Sequence, residues 1–219
     1  MNIAFNEDCM EVMRRYPDKY FDLAVVDPPY GDIPKGGYMT GTGGGRAKQI
    51  AYHDAVWSQS KPCKEYFDEL FRVSKNQIIW GANYFLPELD RPSACWLVWD
   101  KLHPEGVNYA DCELAWTSFN KAARLFKYRW NGFVQQNMKN KEVRIHPTQK
   151  PTDLYRWTYR LFAEHGFKIL DTHLGSGTSR RAAYDFGFDF VGCEKEKVYF
   201  DLQEKAFEEY TAQIRMEDI

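Results

Sequence analysis

Asp27-Pro28-Pro29-Tyr30 follows directly on the apolar run Leu23-Ala24-Val25-Val26, and its residue types suit one kind of chemistry, making a weakly nucleophilic amino group attack. The run has the length and β-branched content of a buried strand, and two successive prolines cannot continue a sheet ladder, so the chain must turn rigidly at the strand's carboxyl end. Open α/β sheets place their ligands at that edge. An amino group on an aromatic ring offers two N–H donors, while its lone pair is drawn into the ring. The Asp27 carboxylate and the Pro28 carbonyl can accept both protons, pull the nitrogen toward tetrahedral geometry and aim its lone pair at an electrophilic carbon. Tyr30 offers a flat face on which a ring can stack. Asp-Pro-Pro is also an ordinary way to leave a strand, so a second signal is required.

That signal lies in Lys168-Ile169-Leu170-Asp171-Thr172-His173-Leu174-Gly175-Ser176-Gly177-Thr178-Ser179, followed by a helix-like segment, Gly187, and Phe188-Asp189-Phe190-Val191-Gly192-Cys193-Glu194. The order is strand, glycine turn, helix, strand, acid. Gly175 and Gly177 remove side chains where a ligand would approach the backbone, and the helix start presents free N–H groups. Glu194 stands 23 residues after Asp171, at the end of the next strand, where an acid can accept from both hydroxyls of a ribose. An adenosine-containing ligand is implied. A dinucleotide is the rival, but Arg180 occupies the third glycine position of G-x-G-x-x-G.

The elements that must position these residues alternate as in an α/β sheet. Strands are expected near 3–5, 21–26, 77–80, 95–99, 112–117, 168–171 and 188–193, and helices over 9–16, 64–73, 152–164, 179–186 and 197–214. A length of 219 residues, 44% hydrophobic and 27% charged, suits one domain spanning the chain. The absence of a long apolar run and of a basic-then-apolar start points to a soluble cytoplasmic protein. Cys9, Cys63, Cys95, Cys112 and Cys193 are odd in number and widely spaced, so neither a disulfide framework nor a metal site is expected. The segment 31–49 holds seven glycines and follows the Asp-Pro-Pro-Tyr corner, which marks it as a mobile lid; its Gly41–Lys48 run lacks the spacing of a phosphate-binding loop.

The net charge of −2 gives no global reason to expect a polyanionic partner. Its distribution does. Between Lys121 and Lys150 the cations Lys121, Arg124, Lys127, Arg129, Lys139, Lys141, Arg144 and Lys150 face a single acid, Glu142, with rings and amides interleaved. Cations for phosphates, rings for stacking and amides for base edges suit nucleic acid, although a solvated charged face has the same composition. Segment 119–145 is therefore the candidate target-recognition region.

Taken together these residues resemble the β-class amino-methyltransferases of DNA, in which the catalytic corner precedes the glycine-rich donor turn and a segment like His146-Pro147-Thr148-Gln149-Lys150-Pro151 lies between them. The resemblance runs from Asp8-Cys9 through Trp99-Asp100-Lys101 and Glu113-Leu114-Ala115 to Glu194, nearly the whole chain. It implies a Rossmann-like three-layer α/β sandwich with a mixed seven-stranded sheet and circularly permuted motif order. It also implies S-adenosylmethionine as donor, no metal, and DNA as substrate, in the setting of restriction and modification, with a homodimer as one way to complete a small recognition surface. Asp27, Pro28, Pro29 and Tyr30 would form the catalytic corner. Asp8 and Cys9 would lie at the donor's adenine, and Thr148 and Lys150 at its carboxylate, with Lys150 as counter-charge. Asp171, His173, Gly175, Ser176, Gly177 and Thr178 would surround its methionine and sugar, with Asp27 bordering both ligands and Glu194 on the ribose. The usual proline and phenylalanine after the aspartate are here Thr172 and His173, so the backbone of that turn carries the resemblance better than His173 does. An aspartate opening the corner usually accompanies adenine-N6 methylation, a serine cytosine-N4 methylation. Cytosine-N4 methylation of DNA, RNA or protein methylation, and a silent DNA-binding protein on the same fold are the alternatives. Cys63 follows Pro62 but lacks the motif of a cytosine-C5 nucleophile.

Overall fold

The computed structural model describes residues 1–31, 61–106, 110–131 and 134–217, so the segment read as a lid lies, apart from Gly31, outside the described residues. The chain forms β1 (Asn2–Phe5), α1 (Cys9–Met13), β2 (Phe21–Val26), α2 (Lys64–Val73), β3 (Ser74–Trp80), a 3-10 turn (Ala82–Tyr84) and α3 (Leu86–Leu89). It continues through β4 (Trp96–Asp100), β5 (Cys112–Thr117), β6 (Arg124–Lys127), β7 (Trp130–Asn131), β8 (Val134–Gln135), α4 (Thr152–Phe162), β9 (Lys168–Asp171), α5 (Thr178–Asp185), β10 (Asp189–Cys193) and α6 (Lys197–Glu217).

Leu23, Ala24, Val25 and Val26 are all fully buried because β2 runs through the interior of the sheet, paired in parallel with β9 on one side and β3 on the other. The strand order is β1-β10-β9-β2-β3-β5-β4-β6, with β5 antiparallel to both β3 and β4 and the other pairs parallel. Side chains alternate between two cores. Leu23, Val25, Ile78, Leu97, Trp99 and Ile169 join Leu154, Tyr155, Tyr159 and Phe162 of α4 and Ala182 and Ala183 of α5. Ala24, Val26, Ile79, Trp116 and Leu170 join Val12 and Met13 of α1 and Phe67, Leu70 and Phe71 of α2. Each valine, leucine, isoleucine or phenylalanine among them contributes about 1.5–3 kcal/mol on burial, which fixes the register of β2 and hence the position of Asp27. The helix, sheet and helix layers are those expected, and the sheet has eight strands rather than seven.

The additional strand is β6, and with the β7–β8 hairpin it comes from the segment read as target recognition. Its Arg-Leu-Phe-Lys sequence is mostly exposed on the sheet's outer edge, so it lacks the burial pattern that marks a strand in sequence. The 3-10 turn and α3 were likewise unforeseen; at three and four residues they are too short to show a period, and Pro87 sits inside α3. The other helices match the expected ranges to within three residues, α1 ending three residues early at Met13 and α6 three residues late at Glu217.

Glu142, the one acid of the basic segment, is structural. Its carboxylate accepts from the Thr152 backbone N–H at 2.9 Å and from the Thr152 hydroxyl at 2.8 Å, capping α4, and it lies 3.6 Å from Arg181. The Gln135 side chain clamps the Glu142 backbone in both directions at 2.8 Å, and Gln149 bonds the backbone of Val143 and Ile145, so this stretch braces the loop leading to Lys150. Removing the carboxylate leaves the first turn of α4 without its acceptor and Arg181 without this counter-charge. Glu142→Ala should therefore lower unfolding free energy by about 2–3 kcal/mol, read by urea denaturation.

Candidate active site

Asp27 leaves β2 at the point where the strand order changes direction, between β9 and β3, and Pro28 and Pro29 end the ladder there. The Asp27 carboxylate has two direct partners, one on each oxygen. Its Oδ2 accepts from the Lys150 ammonium, and its Oδ1 accepts from the Tyr30 hydroxyl at 2.8 Å. Lys150 also bonds Glu113 Oε2 and the Tyr30 oxygen, both at 3.0 Å, and Glu113 Oε1 is held by Lys101 at 2.7 Å. Two carboxylates and two ammonium groups thus neutralise one another, with Lys150 only 4% exposed.

The environment divides the two acids. Burial and the neighbouring Glu113 lift the pKa of Asp27, with Lys150 acting against them. Glu113 is also desolvated, but Lys150 and Lys101 together hold it down to about 2. Burial alone would discharge Lys150; Asp27 and Glu113 outweigh it and raise its pKa. Glu113 therefore keeps its charge under all ordinary conditions, and Asp27 is the group whose charge is easier to remove.

Lys150 differs in surroundings from its expected role. It is a counter-charge, as expected, but to the protein's own acids, and its three N–H donors are all committed to them and to Tyr30. Thr148 is exposed, with its hydroxyl 3.1 Å from His146 Nδ1. Burial, then Lys150 and Arg144, push His146 down to about 3, so it is a neutral packing group against Tyr199.

The glycine turn after β9 closes on the same edge. Asp171 is spent within it, accepting from the Ser179 hydroxyl and from the His173 N–H at 3.1 Å, and burial raises it to about 7. His173 lies 3.0 Å from the Thr172 hydroxyl, which lies 2.6 Å from the Tyr66 hydroxyl; burial lowers its pKa to about 4. Gly175 and Gly177 adopt φ of 51° and 69°. A Cβ on Gly177 would stand 3.0 Å from the Gln203 side chain, so left-handed geometry and packing on α6 explain that glycine, rather than room for a ligand. Ser176 and Thr178 are buried, Thr178 opening α5. Glu194, at the end of β10, accepts from the N–H of Gly175 and of Glu196, each at 2.9 Å. Asp8 caps α1 through the Met10 N–H at 2.9 Å and pairs with Lys195 at 3.2 Å. Burial and Asp8 push the Cys9 thiol up to about 12, which makes it a neutral packing group.

The basic candidates divide by place. β6 runs parallel to β4, so Lys127 and the following Arg129 lie toward the Asp27 edge and Arg124 toward the opposite one. Lys121 precedes Arg124, bonds Leu161 O at 3.5 Å and lies over Phe119 and Phe162, away from the corner. Lys139 and Lys141 are exposed in the loop after β8. Arg144 bonds Pro147 O at 3.0 Å and lies over Trp130, bracing the loop to Lys150. The eight cations thus do not form one surface.

Four residues of the corner went unassigned in the sequence: Lys101, Glu113, Gly81 and Tyr84. Glu113 left a signal, an acid inside the strand-like run Cys112–Thr117. Gly81 left none, since its role is spatial. It follows β3 with φ of 70°, and a Cβ there would stand 2.0 Å from Tyr30 Cε1. The Tyr30 ring passes through that space and stacks on Tyr84 at 4.9 Å between centroids, 19° from parallel.

The sheet order, with one reversed strand near an edge, is that of the Rossmann-like methyltransferases. A family model described as DNA methylase, of the N6/N4 methyltransferase type, matches residues 90–205, more than half of the chain, and the chain belongs to that family. The Type II methyltransferase M.HinfI of Haemophilus influenzae is 24% identical over 95% of this chain and 69% of its own. Among solved structures, the M1.HpyAVI–SAM complex superposes with a TM-score of 0.58 at 20% identity, over 94% of this chain and 100% of that one. The cytosine-N4-specific PvuII DNA methyltransferase superposes at 0.61 with 13% identity, over 94% and 86%. These likenesses establish the fold.

Gly81→Ala should be destabilising by about 2–4 kcal/mol, from the left-handed backbone and the overlap with Tyr30 together. Urea denaturation reads the loss, and a loss of methyl transfer beyond the unfolded fraction reads the displacement of Tyr30.

Proposed function

We propose that this protein is an S-adenosylmethionine-dependent DNA methyltransferase that modifies the exocyclic N6 amino group of adenine, with Asp27 engaging that amino group. The observation that carries the reading is the Asp27 carboxylate at the switch point of the sheet, beside an aromatic ring and next to a glycine turn closed by Glu194.

The donor fits the residues present. A carboxylate has about four acceptor positions, and Glu194 spends one on each oxygen, to Gly175 and Glu196, so one on each remains for the two hydroxyls of a ribose. Gly175, Ser176, Gly177 and Thr178 would supply the backbone around the donor, with Asp8, Cys9 and His173 at its base and Thr148 at its carboxylate. When bound, S-adenosylmethionine supplies a methyl group already made electrophilic by a sulfonium charge. The chain's contribution is then orientation and proton acceptance. Asp27 accepts one amino N–H, the Pro28 carbonyl accepts the other, and the nitrogen lone pair is directed outward from them. The target base leaves the stack to reach this corner, and the ring of Tyr30 gives it a surface.

Adenine is favoured over cytosine by the aspartate that opens the corner. Fold likeness does not discriminate, since the neighbour PvuII is cytosine-N4-specific. DNA would lie along the Asp27 edge, to which β6 carries Lys127 and Arg129, with Lys139 and Lys141 exposed in the loop after β8. Within segment 119–145, β6 is the outer edge of the eight-stranded sheet, and β7 and β8 form a separate two-stranded hairpin.

Isotopically labelled donor incubated with unmethylated DNA, followed by mass spectrometry of the nucleosides, tests the reading. Labelled N6-methyladenine is expected; labelled N4-methylcytosine overturns the base, and unlabelled DNA overturns the substrate. Asp27→Ala should reduce transfer at least about a thousandfold while donor affinity by calorimetry changes little. Lys127→Ala with Arg129→Ala should weaken DNA binding and flatten its salt dependence, whereas Lys121→Ala with Arg124→Ala should leave both near the parent's values.

A further inference from the structure

Glu113 sits on β5 opposite Trp99 of β4 and one alternation from the buried Ala115, in a position that the pattern of the sheet would give to an apolar residue. A carboxylate placed there is costly unless it is paired, and it is paired twice, to Lys150 at 3.0 Å and to Lys101 at 2.7 Å. It also offers a second acceptor, at 3.3 Å, to the Tyr30 hydroxyl that donates to Asp27. Both donors that engage Asp27 therefore have an alternative partner in Glu113.

We infer that Glu113 is a positioning residue that shares Lys150 and the Tyr30 hydroxyl with Asp27, so that the Asp27 carboxylate keeps its strength as acceptor for the target amino group. The inference rests on the reading of Asp27 given above. Without Glu113 the corner would hold one carboxylate against two ammonium groups. Lys150 would then bond Asp27 alone, drawing its charge away from an incoming N–H. With Glu113 the four charges sum to zero, and Lys101 returns to Glu113 what Lys150 shares between the two acids. Lys150 then has a partner to hold while Asp27 turns to substrate, and no ammonium is left bare in the interior.

The groups facing Asp27 are Tyr30 from its own corner, Glu113 from β5, Lys150 from the loop before α4, Tyr155 from α4 and Asp171 from the end of β9. Lys101, just after β4, acts through Glu113. Glu113 is a negative charge that raises the Asp27 pKa, so its removal lets Asp27 ionise at lower pH. Two consequences follow for Glu113→Gln in single-turnover methyl transfer. The plateau rate falls about tenfold or more, because Lys150 now weakens the acceptor. The acidic limb of the pH–rate profile moves to lower pH. Lys101→Met, which removes a positive charge, moves that limb to higher pH. A loss of packing alone would lower the plateau and leave the limb in place.

The experiment is the pH profile of single-turnover transfer for the parent, Glu113→Gln and Lys101→Met, with donor affinity measured by calorimetry. Opposite displacement of the two acidic limbs at unchanged donor affinity supports the inference. A Glu113→Gln plateau equal to the parent's, or limbs that do not move, overturns it. If Glu113→Gln does not fold, the Lys101→Met limb decides, an upward shift supporting the inference and no shift overturning it. Retained transfer by Asp27→Ala would remove the underlying reading, whereas an inactive Asp27→Ala with unmoved limbs in both other variants removes this inference alone.

Discussion

Four charges taken largely out of water, Asp27, Glu113, Lys101 and Lys150, hold the carboxyl edge of this sheet together. Each ion costs several kcal/mol to bury, and only their mutual arrangement recovers it. That arrangement needs four separate parts of the chain to arrive at one point: the end of β2, the end of β4, the start of β5, and the loop before α4. A buried network satisfied in one geometry specifies that geometry, so the cluster fixes the edge as firmly as the apolar cores fix the middle. It also explains the structural weight placed behind Lys150, whose loop is braced by Gln135, Glu142, Arg144 and Gln149.

The same edge collects the glycine turn because β9 lies directly beside β2, although their sequences are far apart. Within that turn most polar groups are turned inward. Asp171 holds Ser179 and the His173 N–H, and Thr172 bridges Tyr66 and His173. Beside that turn the corner holds one acid whose pKa is raised by burial, one held ionised by its two lysines, and a ring backed by Gly81 and Tyr84.

The sequence made the corner and the turn legible because each is local: a strand followed by two prolines, and a strand followed by spaced glycines. Most strands and helices were legible for the same reason, through burial period. β6 was not, since an exposed edge strand has no buried face to show. Gly81 was not, since its need comes from Tyr30, fifty residues away in the chain. Lys150 showed its charge but not its partners, and the basic segment showed a composition but not that β6 would carry Arg124 and Lys127 toward opposite edges. Long-range pairing is the information that composition and period do not hold.

On the proposed function Asp27, and not Glu113, meets the target amino group. With carbon-13 in the side-chain carboxyls of aspartate and glutamate, the resonances of both residues can be followed as a duplex containing the target base is added with a donor analogue that cannot transfer its methyl group. The account predicts that the Asp27 carboxyl shifts on duplex binding while Glu113 stays at its ionised position throughout. An Asp27 resonance that does not respond, with Glu113 shifting in its place, would contradict it.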